Sequence, residues 1–230
     1  MVKNILLACV LTAAGGYLLG SILFGVLISK VMYNDDVRNH GSGNAGMTNV
    51  LRTYGKLPAV LTTIGDVGKS VAAVNLGRFI FDALLSGTGA AWQSPLDPVC
   101  GAYLAAIFCM IGHSRPLFFG FKGGKGVLVG AVMLAFFDWR VFVIAFALFI
   151  LSVVLTKWIS LGSILGAVSF PITTWLFYRD PVLTAMAFGM AAAVVFMHRS
   201  NIGRILHGTE NKFSFKSKKT IEASPDGEEK

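Results

Sequence analysis

Charge is scarce in this chain. Only 14% of its 230 residues are Asp, Glu, Lys or Arg, against 54% hydrophobic ones. A soluble domain carries about a quarter charged residues. Cysteine is also sparse: Cys9, Cys100 and Cys109 all lie inside apolar blocks. An odd number so placed excludes a disulfide framework and reads as small core residues. His40, His113, His198 and His207 show no metal-ligand spacing, and Asp35 and Asp36 read as a solvated loop, so neither metal nor cofactor is expected. There is no G-x-S-x-G and no reactive-looking cysteine, which removes a nucleophilic triad. No internal repeat is visible.

What is there instead is long apolar runs, the mark of lipid as solvent. Seven segments emerge: Ile5 to Met32, Leu57 to Phe81, Val99 to Ile111, Val127 to Phe137, Val141 to Leu155, Ile159 to Tyr178 (with Pro171 inside it) and Val182 to Met197. The first is read as a retained helix and not a signal peptide, because its apolar run continues well past "TAAGG" without a polar region. The third and fourth are short, and the fourth suits a tilted, partial or re-entrant helix. The expected fold is an all-α membrane protein of about seven transmembrane helices, since lipid leaves backbone groups no outside partner. Lys and Arg crowd the loops after odd-numbered segments (Arg38, Arg52, Lys56, Arg115, Lys122, Lys125, Lys157, Arg199, Arg204, Lys212). The other side carries Lys3, Arg78, Arg140 and Arg179. This bias puts the N-terminus outside and the C-terminus in the cytoplasm, weakly opposed by Lys3. Residues 1–212 read as one membrane domain and 213–230 as a disordered cytoplasmic tail. The net charge of +8 suits a cytoplasmic membrane face or anionic ligands.

The unusual loops share that charged side. "HGSGNAGMTN" (His40 to Asn49) matches G-x-G-x-x-G at Gly41, Gly43 and Gly46, but it follows a membrane segment and not a strand, so a dinucleotide is a poor fit. Its physical content is an anion cradle. Glycines bare the backbone N–H groups, Ser42, Asn44, Thr48 and Asn49 add neutral donors, and Arg52 adds a fork. A simple chain-reversing turn would not need so many donors. "FKGGKGV" repeats the argument with Gly123, Gly124, Gly126 and Lys125 at the start of an apolar run. "GDVGKS" fails as a Walker A loop, because Thr63 stands where Gly is required. Asp66 and Lys69 instead share one helix face, and a functional pair and a packing pair are equal readings. His198 stands out among the histidines, with Arg199, Asn201 and Arg204 following it. A lone histidine at a helix end more often caps it. Small residues four apart, Gly16 with Gly20 and Ser21 with Gly25, read as close helix packing.

"GSGNAGMTNVLR", "GH…P…FKGGKGV", "SLGS" and "HRSNIGRILHGTE", in that order among about seven apolar segments, resemble the bacterial acyl-phosphate-dependent glycerol-3-phosphate acyltransferases. The resemblance covers most of the chain and stops near Glu210. It implies a multi-pass inner-membrane enzyme with its site on the cytoplasmic face. The reaction implied moves a fatty acyl group from acyl phosphate to the sn-1 hydroxyl of glycerol 3-phosphate. A soluble enzyme that makes acyl phosphate would be its functional partner, and no nucleic acid is implied. By motif, Ser42, Gly43, Asn44 and Arg52 fall in the first loop, Lys125 in the second, Ser160 in the third, and His198, Asn201 and Glu210 in the last. His198, Ser42, Arg52 and Lys125 are the catalytic candidates. Gly41, Gly43, Asn44, Thr48, Asn49, Gly123, Gly124, Gly126, Ser160, Asn201 and Glu210 are the substrate-binding ones. His198 is either a base or an orienting residue. The chain departs from the family at Ala45-Gly46-Met47-Thr48, Leu128-Val129 and Ser70. It also lacks the H-x-x-x-x-D of many thioester-using acyltransferases, since Ala45, Phe118, Gly203 and Lys212 occupy the fifth place after each histidine. The alternative is a transporter of an organic phosphate or similar anion, which would predict inverted repeats and a midplane site. A lipid phosphotransferase would want a metal-binding carboxylate cluster.

Overall fold

In a bilayer only a helix satisfies a single segment's backbone from within. Each of the seven apolar segments is helical in the computed structural model, which describes residues 2–86 and 98–213. The first segment is two helices, α1 (Val2–Gly20) and α2 (Phe24–Tyr33), broken at Ser21 to Leu23. A short amphipathic helix, α3 (Met47–Tyr54), precedes the long α4 (Lys56–Leu85). Then come α5 (Pro98–Ser114), α6 (Val127–Phe137), α7 (Trp139–Thr156), α8 (Ile159–Tyr178), α9 (Pro181–Met197) and α10 (Arg199–Leu206). No strand occurs among the described residues.

Five of these units are long and apolar enough to cross a membrane, taking α1 and α2 as one, and the α9–α10 pair makes a sixth despite its 57° bend. Among the described residues that makes five or six candidate spans, fewer than the seven or so expected from the apolar segments. α6, with 11 residues, is only about 16 Å long, half of the roughly 30 Å apolar layer. It is a partial helix joined to α7 through Asp138, whose carboxylate accepts from the Arg140 backbone N–H at 2.8 Å. Pro171 sits inside α8 without ending it. Asp180 caps α9, accepting from the Val182 and Leu183 N–H groups, with Pro181 in the first turn where its missing N–H costs nothing.

The helices form two groups. α1, α4 and α5 pack through bare backbone. A Cβ on Gly20 would lie 2.1 Å from the Cys109 carbonyl, one on Gly16 would lie 2.6 Å from that of Ala105, and Gly77 and Gly101 face each other as closely. Gly25 meets the Ala45 carbonyl in the same way. The spacing of small residues in the first segment is therefore packing. α7, α8 and α9 form the second group, faced with phenylalanines, and α6 bridges the two. Large apolar side chains such as Leu6, Phe79, Val154 and Phe188 are exposed, as a lipid-facing surface requires. The expected tail falls almost wholly outside the described residues. Phe213 is described, and its N–H donates to the Lys157 carbonyl at 2.7 Å.

Candidate active site

The first glycine-rich loop is built around one buried side chain. Asn49 Nδ2 donates to the carbonyls of Val37, His40 and Asn44, each at 3.0 Å, and its Oδ1 accepts from the Ser42 N–H at 3.0 Å. Gly41 lies against it with φ +57°, where a Cβ would meet Asn49 Oδ1 at 2.3 Å. Asn49 was expected to donate to an anion. Its N–H groups are already spent on backbone, so it shapes the loop. Ser42, Asn44, Thr48 and Arg52 face the adjacent cavity, whereas Gly41 and Gly43 do not line it. The Arg52 side chain, on α3, has no hydrogen bond or ion pair among the described residues, so its guanidinium fork is free for a ligand.

The second loop is wrapped around another helix's histidine. The Gly124 N–H donates to the His113 carbonyl at 2.9 Å. A Cβ on Gly123 would lie 2.0 Å from that carbonyl oxygen, and one on Gly124 would lie 2.1 Å from His113 Nε2. Only glycine fits either place. Gly123 and Gly124 were expected to bare N–H groups to phosphate, but they do not line the cavity; they let the chain close over His113. Lys125 and Gly126 do line it. Arg38 ties the two loops together, donating to the carbonyls of Phe119 (2.7 Å) and Lys122 (2.8 Å) while paired with Asp36.

The last two motifs form one network. Ser160 Oγ and Asn201 Nδ2 both donate to Glu210 Oε1 at 2.7 Å, and Arg204 Nε donates to Oε2 at 2.8 Å. Lys125 Nζ donates to Asn201 Oδ1. Glu210, expected among the phosphate-binding residues, is a carboxylate that would repel an anion. It instead holds Ser160, Asn201 and Arg204 in place. Burial tends to raise its pKa, but these hydrogen bonds outweigh that and keep it below the usual range. Lys125 is pushed down to about 8, first by burial and then by Arg204 and Arg52, with Glu210 opposing. His198, at the α9–α10 bend, is buried and donates from Nδ1 to the Val194 carbonyl at 2.8 Å. In the neutral ring this leaves the Nε2 lone pair available.

Apart from Gly41, Gly43, Gly123 and Gly124, the candidate residues border one cavity of about 410 Å³. Its polar end meets the starts of α3, α6 and α8, none of which has a side-chain cap. Their unpaired N–H groups and aligned dipoles favour negative charge. Arg52, Lys125 and Arg204 add three cations there. The other end runs down between helices, past Gly130 and Leu134 on α6, Ala145 and Phe146 on α7, Gly166 and Phe170 on α8, and Met190 on α9. Ser160 to Phe170 alone covers about 15 Å of helix rise. The cavity can therefore hold a phosphorylated head and an apolar tail at once. Sequence reasoning did not assign Arg204, Asp66 or His113 to it, although all three line it. Among the described residues no cluster of His, Cys, Asp and Glu could hold a metal ion.

The family profile described as "Glycerol-3-phosphate acyltransferase" matches residues 10–208. A glycerol-3-phosphate acyltransferase of Synechococcus sp. (strain JA-2-3B'a(2-13)) is 37% identical over 211 residues, 92% of this chain and 98% of that protein. One from Desulforamulus reducens is 39% identical, over 90% of this chain and 96% of that protein. The fold is similar to a crystal structure of PlsY (YgiH), an integral membrane glycerol 3-phosphate acyltransferase, in its glycerol 3-phosphate form. The TM-score is 0.75 at 30% identity, covering 90% of this chain and 96% of that one.

Proposed function

The chain belongs to the glycerol-3-phosphate acyltransferase family, and we propose that it takes its acyl group from acyl phosphate and makes lysophosphatidic acid. It is thus a multi-pass membrane acyltransferase, and the sequence-level transporter alternative falls away. The observation that carries the finer reading is the two-ended cavity, with three helix starts and three cations at one end and an apolar groove at the other. The lysophosphatidic acid form of PlsY, with a TM-score of 0.72 and 29% identity, also supports this product. By the loop charges, the polar end faces the cytoplasm of a bacterial inner membrane.

In this reading the sn-1 hydroxyl of glycerol 3-phosphate attacks the acyl carbonyl. A new C–O bond forms, the bond to the phosphate oxygen breaks, and phosphate leaves. His198 Nε2 takes the hydroxyl proton. Arg52, Lys125 and the helix starts neutralise the two phosphates, and Ser42, Asn44 and Thr48 orient them, while Ser160, whose hydroxyl proton goes to Glu210, offers only its backbone N–H at the start of α8. Acyl phosphate is a mixed anhydride with a good leaving group, so positioning and charge neutralisation carry most of the catalysis. The test is the purified protein in lipid with glycerol 3-phosphate and, in turn, acyl phosphate, acyl-CoA and acyl carrier protein, scored for lysophosphatidic acid. Product from acyl phosphate alone is expected. Comparable turnover with acyl-CoA would overturn the donor.

A further inference from the structure

A buried ion pair lies beside the cavity, and the mechanism above leaves it unused. The break between α1 and α2 strips the Gly20 and Ile22 carbonyls of their helical partners. Lys69 Nζ reaches across from α4 and donates to them, at 3.4 and 2.7 Å. The same ammonium donates to His113 Nδ1 at 2.9 Å and pairs with Asp66 Oδ1 at 2.6 Å. Lys69 is thus fully engaged by protein. Asp66 is not. It is 2% exposed and lines the cavity. Its Oδ1 is wholly enclosed, whereas its Oδ2 is not enclosed and receives no hydrogen bond among the described residues.

The carboxylate sits at the polar end. Its Oδ1 is 3.8 Å from His113 Nδ1, and the other side of that ring lies against Gly124, the neighbour of Lys125. Two carboxylates line the cavity, and they differ in what they have left to offer. Both oxygens of Glu210 already accept, from Ser160, Asn201 and Arg204. Asp66 keeps one oxygen open. A carboxylate paired with an ammonium can only accept hydrogen bonds, and it repels a phosphoryl oxygen. Left unmatched in a largely buried site it is costly. Its complement is a neutral donor. Ionised acyl phosphate brings acceptors alone. Glycerol 3-phosphate brings two hydroxyls, and the sn-1 hydroxyl goes to His198 in the mechanism above. That leaves the sn-2 hydroxyl.

We propose that Asp66 is a specificity-determining residue whose Oδ2 accepts the sn-2 hydroxyl of glycerol 3-phosphate, with Lys69 as the positioning residue that holds the carboxylate by its other oxygen. The proposal rests on reading the polar end as the site of both phosphorylated substrates. It gives the buried ion pair a task beyond packing, because the ammonium that seals the helix break also aims Asp66. It further predicts which look-alike is refused. Dihydroxyacetone phosphate has the same phosphate and the same attacking hydroxyl, but a carbonyl replaces the sn-2 hydroxyl. That carbonyl would set an acceptor against an acceptor. A site built to bind a hydroxyl rejects an analogue that lacks it, because its own polar group is then left unpaired.

The experiment uses the full chain in lipid bilayers and compares three acceptors: glycerol 3-phosphate, 3-hydroxypropyl phosphate, which lacks the sn-2 hydroxyl, and dihydroxyacetone phosphate. Wild-type kcat/KM should fall by roughly tenfold to a hundredfold when the hydroxyl is missing, the range for a hydrogen bond to a charged group. It should fall further for the ketone. Asp66→Asn is the decisive variant. Lys69 can only donate, so it should hold the amide oxygen and turn the amide N–H groups toward the substrate. The preference for glycerol 3-phosphate over the ketone should then shrink by about tenfold or more, with the ketone improving relative to both other acceptors. A wild-type enzyme indifferent to the sn-2 hydroxyl would overturn the proposal. So would an Asp66→Asn enzyme that loses activity on all three acceptors in proportion, as a purely structural role requires. Should Asp66→Asn not fold, Asp66→Glu keeps the charge but displaces the oxygens and must also narrow the preference; an unchanged preference there would overturn the proposal equally. Calorimetric binding of the same acceptors without a donor separates this from the donor assignment. An Asp66-dependent binding preference in protein that makes no product from acyl phosphate would remove acyl phosphate as donor and leave the role of Asp66 standing.

Discussion

The two glycine-rich loops look alike in sequence and are built in opposite ways. The first is held from within, by Asn49 bonding to the His40 and Asn44 carbonyls and the Ser42 N–H of its own loop and to the Val37 carbonyl just before it. The second is held from outside, by closing over His113 of α5. Their cations differ in the same sense. Arg52 has no protein partner among the described residues, whereas Lys125 is already tied through Asn201 to Glu210. A glycine-rich loop is thus not one device. One loop is a self-contained cradle with a free fork, and the other is a lid whose cation is part of a wider network.

The largest effects should come from deleting the cations. Arg52→Ala and Lys125→Ala should each cost about 2–4 kcal/mol of transition-state stabilisation, as loss of one preorganised group does. That is roughly a 30- to 1000-fold fall in kcat/KM. The comparison is sharpened by the exchanges. Arg52→Lys should recover little, because a point charge cannot reproduce a free guanidinium fork. Lys125→Arg should recover more, because its partner Asn201 asks only for a donor. Steady-state kinetics on folded, membrane-inserted protein, with each substrate varied in turn, makes the measurement. Equal recovery in both exchanges would erase the distinction. Near-normal activity in both alanine variants would reduce the cations to topology signals.

Next come the scaffolds. Asn49→Ala removes a side chain and leaves three carbonyls without their donor, so it should cost about 2–3 kcal/mol of stability. In the second loop the sensitive change is an addition. Gly124→Ala places a methyl against His113 Nε2 and should cost about 1–3 kcal/mol by overpacking. Thermal unfolding in detergent reads both. If Gly124→Ala is neutral and Gly41→Ala is not, the loop that depends on close approach has been misidentified.

These differences mark where the sequence is legible. Helix positions are the clearest part: Val127–Phe137 and Ile159–Tyr178 appear with the same ends in the structure, because apolar length and flanking polar residues decide both. The break at Ser21 to Leu23 is hidden, since "GSILF" is as apolar as its flanks. The signal for it lies 47 residues away in Lys69, which donates to the Ile22 carbonyl. Site residues are legible by motif but not by task. A glycine that bares an N–H and a glycine that admits a neighbour are written with the same letter, so Gly41, Gly123 and Gly124 read as ligands but sit where a neighbour approaches too closely for a Cβ, and Gly43 serves a positive φ of 68°. His113 reads as a helix cap, because nothing local shows that a lysine on another helix faces its Nδ1.

The smallest expected effect is a shift in a pH profile, and it tests the network half of the comparison alone. Burial, with Arg204 and Arg52 nearby, pushes the pKa of Lys125 down to about 8. Lys125 is charged below that pH and neutral above it. If charged Lys125 binds phosphate, kcat/KM, which reports the free enzyme, should fall as pH rises through about 8. A bound phosphate dianion favours the ammonium, so the corresponding fall in kcat should lie at higher pH. Glu210 is the group that raises the pKa of Lys125, and after burial Arg204 is the largest influence lowering it. Glu210→Gln removes the first and leaves the second unpaired, so the alkaline fall in kcat/KM should move below 8. Gln can still accept from Ser160 and Asn201, which keeps the geometry largely intact. Arg52→Lys carries no such coupling through Glu210 and should leave the position of that fall nearly in place. A Glu210→Gln profile that coincides with the wild type would mean that Lys125 answers to burial alone, and that the two loops differ in scaffold but not in how their cations are charged.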